Sequence, residues 1–183
     1  KVAAGTRINT PVVAEDLYPT ILEMAGVDSY QSVQQIDGQS IVRLLTDGSA
    51  AVRKAMDEGV ITSQQQANDF QIAEEISGID PQREVLEHYP HQWKPYQLRD
   101  IDYMSSLRKG DWKIVYRHRE QTLELYNIGD DITERNDLSQ SHPEILRQMA
   151  EALTAKLEGY DALLPTFRAT GEEIPMPNEL LKD

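Results

Sequence analysis

SSLRKGDWKIVYRHREQTLELYNIGDD, residues Ser105 to Asp131, is patterned as antiparallel strands separated by turns. Gly110-Asp111 punctuates the first turn, because glycine enters unusual backbone regions at little steric cost and aspartate bonds its own backbone. From Trp112 the side chains alternate, with Trp112, Ile114 and Tyr116 on one side and Lys113, Val115 and Arg117 on the other. His118 to Gln121 make a polar turn, and Leu123, Leu125 and Tyr126 resume a strand. The pattern predicts a β-meander with one buried face. In it Trp112 anchors the core, Asp111 forms a turn, and His118 and Arg119 sit solvated at a hairpin tip.

Working outward, strands are expected at Val85 to Tyr89, Tyr103 to Lys109, Trp112 to His118 and Thr122 to Ile128. A helix from about Pro143 to Gly159 carries Ile145, Met149, Leu153 and Leu157 on one side, and Ser141 with Glu144 fits a capping box. The expected fold class is therefore α+β, a four-stranded antiparallel sheet covered by a C-terminal helix. Toward the start, Asp16 is a good N-cap, Pro19 sits in a first turn, and Leu17, Ile21, Leu22 and Ala25 form an apolar stripe stopped by Gly26. A short helix from Ser40 through Leu45, ended by Gly48, follows. Residues 49–84 read as a polar insertion or linker, with helical tendency over Ala51–Glu58 and Ser63–Ile76 and a stop at Gly78 and Pro81. The organisation expected is 1–48 helical, 49–84 insertion, 85–160 sheet plus helix, and 161–183 an extended, non-periodic tail.

At 183 residues the chain can bury one sizeable core. Its net charge of −13 argues against nucleic acid, whose phosphates are bound by Lys and Arg. No apolar run approaches the ~18 residues of a membrane-spanning helix. The absence of cysteine excludes disulfides and thiolate metal sites. Between residues 105 and 119 five basic residues, Arg108, Lys109, Lys113, Arg117 and Arg119, stand against Asp111 alone. Such a strip suits a sulfated ligand, or it keeps strand edges soluble.

The segments in order resemble the C-terminal subdomain of the type I, formylglycine-dependent sulfatases of the alkaline phosphatase superfamily. Arg108-Lys109-Gly110-Asp111-Trp112-Lys113 and Leu123-Glu124-Leu125-Tyr126-Asn127 match that family's strand motifs, and Glu134, Asn136 and Leu138 continue them. Ile132 stands where the family usually has proline, and Asp137 intervenes between Asn136 and Leu138. Asp16-Leu17-Tyr18-Pro19-Thr20 through Gly26 resembles the family's D-(L/I)-x-P-T helix, Ile36-Asp37-Gly38-Gln39-Ser40 its following D-G-x-S, and His88-Tyr89-Pro90-His91 a motif of carbohydrate sulfatases.

The resemblance implies a parent that hydrolyses sulfate esters of carbohydrates with a formylglycine and Ca²⁺, periplasmic or secreted. The family's C-x-P-S-R nucleophile motif is absent, as is a serine version. No catalytic residue or metal ligand is therefore assigned to this chain. The resemblance makes it the C-terminal portion, inactive alone, whose partner is the missing N-terminal sulfatase domain and whose helices at 1–48 would pack on that α/β domain. A phosphonate or phosphate monoester hydrolase of the same superfamily, and a stand-alone carbohydrate-binding or interaction domain, are the alternatives.

His88, His91 and Trp93 are the candidate substrate-binding residues. Histidines among aromatics at a strand-to-loop junction suit sugars, since rings stack on pyranose faces and imidazole donates to hydroxyl or sulfate. A histidine hydrogen-bonded within the loop, or a metal pair lacking further ligands, are the other readings. Asp130, Asp131 and Glu134 form an acidic loop without the alternating oxygen pattern of a calcium site.

Overall fold

The computed structural model describes residues 2–27, 29–33, 36–63, 66, 70, 72–91 and 103–182. The chain divides into two compact units, Lys1–Arg83 and Glu84–Asp183.

In the first unit a 3-10 turn, Ala14–Asp16, runs into helix α1, Leu17–Met24. Pro19 falls in the first turn, where its missing N–H has no intrahelical partner to lose. Gly26, at φ 74°, ends the helix by the left-handed route that glycine enters without a Cβ penalty. The next helical stretch differs from expectation. Gly48 does not stop it: residues 42–57 run continuously through a π-helical segment, Leu44–Gly48, into α2, Ser49–Asp57. The glycine is used for packing instead, since a Cβ there would lie 3.2 Å from Ile72 Cδ1 and 3.4 Å from Leu44 Cδ1. Ile41, Leu44, Val52, Ala55, Ile61, Ile72 and Ile79 make the core, so much of it comes from residues 49–84. Of the helix expected over Ser63–Ile76, the described residues show α3, Glu74–Ser77, closed by Gly78 at φ 72°.

The second unit holds the expected meander: β1 Glu84–Tyr89, β2 Met104–Lys109, β3 Trp112–Arg117 and β4 Thr122–Asn127, antiparallel in the order β1-β2-β3-β4. Register places Leu86, Leu107, Ile114 and Leu125 in one row and His88, Ser105, Tyr116 and Leu123 in another on the same face. Helix α4, Pro143–Gly159, covers this face with Leu146, Met149, Ala150, Leu153 and Leu157. Each fully buried leucine there contributes about 1.5–3 kcal/mol relative to exposure.

Three details depart from the sequence expectations. The capping box at α4 does not form: His142 is the N-cap without a side-chain bond, and Ser141 Oγ donates to the Leu138 carbonyl at 3.1 Å. Pro143 at the first helical position presets φ and supplies the start instead. The sheet's second face is not simply solvated, because Met104, Val115, Tyr126 and Ile128 cluster there with Tyr89. The stretch supplies apolar residues at both parities, so one face alone cannot take them. The residues after α4 also enter the core. Leu164 and Ile174 are buried, a bridge joins Thr166 and Glu173, and a 3-10 turn, Pro177–Leu181, is tied to α4 through Asn178 N–H donating to Thr154 Oγ1 at 3.1 Å. No described helix is long and apolar enough to cross a membrane.

Candidate functional site

The buried sheet face is apolar except at one end, where the His88–Ser105–Tyr116 row brings polar groups together. His118 continues the alternation of Ile114 and Tyr116 by one more residue, and its N–H donates to the Tyr103 carbonyl at 2.8 Å, extending the ladder. It is therefore not solvated at a hairpin tip: only 1% of it is exposed. Its ring lies 4.9 Å from that of Tyr116 and 5.8 Å from that of His88. Arg119 does point away, its guanidinium 4.3 Å over the Tyr103 ring.

Ser105, fully buried, joins the two histidines, with Oγ 2.8 Å from His118 Nε2 and 2.8 Å from His88 Nδ1. His88 Nε2 lies 3.1 Å from the Leu163 carbonyl. Proton order follows from the partners. A carbonyl accepts only, so His88 Nε2 carries the proton and its Nδ1 accepts from Ser105. Ser105 Oγ then accepts from His118 Nε2–H, and both rings are neutral. His118 Nδ1 is left as a buried lone pair without a partner. Burial, with the neighbouring His88 charge adding to it, pushes His118 down to about 4. Burial also lowers His88, against the opposing hydrogen bond to Leu163. Tyr116 donates its hydroxyl to the Pro175 carbonyl at 2.8 Å, and burial pushes it up to about 12.

Of the sequence candidates, His88 is half-buried with both ring nitrogens engaged, His91 is exposed just past β1, and Trp93 lies outside the described residues. Ser105 and His118 were not singled out by sequence. A serine inside a strand carries no signal, whereas His118 could have been found by continuing the alternation. The polar corner has no exposed nucleophile: it fixes ring tautomers and holds the segment after α4 against β1.

The basic strip is spent internally. Lys109 pairs with Glu84 at 3.1 Å, Lys113 with Glu134 at 2.6 Å and Arg117 with Glu124 at 3.1 Å, while Arg108 Nε donates to the Gly110 carbonyl at 3.0 Å. In the acidic loop, Asp131 Oδ2 accepts the N–H groups of Arg135 at 2.7 Å and Asn136 at 2.8 Å, and Glu134 is committed to Lys113. Among the described residues no group of three or more His, Asp or Glu is arranged to hold a metal.

The first unit has a polar centre of its own, at Asp16. Its Oδ1 accepts from Arg83 Nη1 and Gln39 N–H, each at 3.0 Å, and its Oδ2 accepts from Arg83 Nη2 at 2.6 Å and Val13 N–H at 2.9 Å. Asp16 makes no side-chain cap to α1, although it is placed as the N-cap; it ties the helix to the strand-like segment at 37–41 instead. Thr20 adds to this, donating Oγ1–H to the Asp16 carbonyl at 2.5 Å and accepting from Ile41 N–H at 3.0 Å. Burial alone would raise the Asp16 carboxyl, but the Arg83 and backbone hydrogen bonds and the Arg83 charge outweigh it and hold it low.

No protein-family model matches the chain. A Formosa agariphila protein named Sulfatase is 24% identical over 171 residues, covering 90% of this chain and 26% of that protein. A solved structure of a protein with its substrate D-glucosamine-2-N,6-O-disulfate superposes with a TM-score of 0.57 at 16% identity, covering 87% of this chain and 26% of its own. The fold is that of a sulfatase C-terminal subdomain. The structure of Ps i-CgsB is similar too, with a TM-score of 0.50 at 22% identity over 91% of this chain and 28% of its own. This sulfatase-type subdomain spans about a quarter of the length of the relatives it matches. Its motif residues Asp16, Thr20 and Gly38 are structural, stitching helix to strand rather than touching a ligand.

Proposed function

We propose that the chain is the C-terminal portion of a carbohydrate sulfatase, completing that enzyme's fold and supplying one wall of its substrate pocket. The sequence likeness to a protein named Sulfatase along nearly the whole chain carries the reading. The disulfated glucosamine bound by one structural relative supports a sulfated sugar as the substrate class.

In this reading the wall is the end of β1 and the residues after it, His88, His91 and Trp93. His91, exposed, donates to a sugar hydroxyl or sulfate oxygen. His88 is a neutral donor whose Nε2–H reaches a ligand once the exposed Leu163 carbonyl withdraws. Formylglycine and Ca²⁺, which the family reading implies for the parent, have no fitting site among the described residues and no cysteine to form the aldehyde. The chain's own part in the chemistry is to bind, orient and exclude water.

The test is sulfate release from a panel of sulfated mono- and disaccharides by the full-length gene product. His91→Ala and Trp93→Ala are expected to raise KM with little change in kcat, and the chain alone to leave an aryl sulfate intact. Faster turnover of phosphate monoesters than of any sulfate ester overturns the reading in favour of a phosphohydrolase.

A further inference from the structure

We propose that the outward face of α1, formed by Leu17, Ile21 and Met24 with Tyr18 beside them, docks an apolar face on the larger portion of the same polypeptide that precedes this chain. The proposal rests on the sulfatase reading for the existence of that portion.

Helix α1 is inside out for a free-standing unit. Its buried side carries Asp16 and Thr20, whereas Leu17, Ile21 and Met24, at i, i+4 and i+7, are 54%, 63% and 71% exposed. Val27 and Tyr30 extend the patch, and Tyr30 meets Tyr18 edge to face at 5.9 Å. A contiguous exposed apolar stripe of this kind marks an interaction surface. The orientation is not adventitious, because the Asp16–Arg83 and Thr20–Ile41 bonds fix which side of the helix faces inward.

Charge narrows the occupant. From Ile8 to Val42 there is no Lys, Arg or His, and Glu15 and Glu23 flank the stripe. Anionic lipid headgroups and sulfated sugars both call for cations, so neither suits this face. A protein surface does. Length selects which one: the matched relatives extend over roughly three further lengths of this chain, since only 26% of the Formosa agariphila protein is matched.

The test is methionine oxidation footprinting by dilute peroxide on the full-length gene product, read by mass spectrometry. Met24 is expected to oxidise at least about tenfold more slowly in the native protein than in the same protein unfolded, in step with the core residue Met149. Oxidation of Met24 at the unfolded rate while Met149 stays protected overturns the proposal. So does protection that disappears on dilution, which assigns the face to a second copy, or a natural gene product no longer than this chain. Sulfate release is measured on the same sample. Protection without release leaves the docking surface standing and rejects the sulfatase, and release without protection does the reverse.

Discussion

Asp16 and Arg83 stand 67 positions apart in sequence and meet in a bidentate pair, Nη1 to Oδ1 at 3.0 Å and Nη2 to Oδ2 at 2.6 Å. The carboxylate is fully buried and accepts two backbone N–H groups as well, so every strong acceptor direction is used. The pair closes the first unit on itself, because Arg83 is its last residue and also donates to the Pro11 carbonyl at 2.9 Å.

Breaking such a pair leaves one charge buried without compensation, which costs about 3–5 kcal/mol. Asp16→Ala is expected to lower the urea midpoint of the first unit by that order, and Asp16→Ala/Arg83→Met to cost less than the sum of the single changes. Additive losses in the double-mutant cycle would show that the two side chains do not interact.

Gly38 is required by its surroundings rather than by its φ. A Cβ there would fall on the Glu15 carbonyl and lie 2.7 Å from Asp16 N, both main-chain atoms that cannot step aside. Gly38→Ala must therefore shift the segment that delivers Gln39 N–H to Asp16, and overpacking of this kind costs about 1–3 kcal/mol or more. Thermal unfolding reads it directly. A variant as stable as the parent would mean that the close approach of these two segments is not maintained.

Tyr116 holds the segment after α4 from inside the sheet. Removing only its hydroxyl in Tyr116→Phe deletes the bond to the Pro175 carbonyl, at a cost of about 1 kcal/mol with the ring packing kept. Amide exchange is expected to rise over 174–181 and to stay unchanged in β2 and β3. Uniform acceleration throughout the second unit would instead make this bond part of a single cooperative block.

The sheet was readable from sequence because its determinants are local: alternation from Trp112 to Tyr116, a turn at Gly110-Asp111, and helix α4 at a four-residue apolar period. What escaped depends on partners distant in the chain. Gly48 reads as a stop, yet Ile72 packing against it keeps the helix running. Leu164, Ile174 and Pro177 have no period, and they become core only because α4 and the sheet leave room for them. At the site, His88 and His91 were recognisable as histidines beside aromatics. Ser105, which organises the histidines, is an ordinary strand residue until the register sets it between two rings. His118 was assigned to solvent because a polar run usually means a turn, whereas the alternation carries its ring one step further under the fold.

That buried ring makes stability depend on pH in a definite window. His118 falls from an ordinary 6.5 to about 4 in the folded protein, chiefly through burial. A group lowered on folding stabilises fully above its unfolded value, and that stability is lost as pH falls toward the folded value. The loss is expected between about pH 6.5 and 4 and amounts to about 3 kcal/mol, with His88, lowered in the same direction, adding to it. Asp16, also lowered, acts only at more acid pH, below its ordinary 3.8, so the two contributions separate along the titration. His118→Gln keeps an N–H where Nε2–H points at Ser105 but cannot take up a proton. Urea unfolding across pH 4–7 should show a shallower slope for this variant, by up to one proton, with similar stability at pH 7. An unchanged slope would place the acid sensitivity elsewhere and return the His118–Ser105–His88 chain to simple packing.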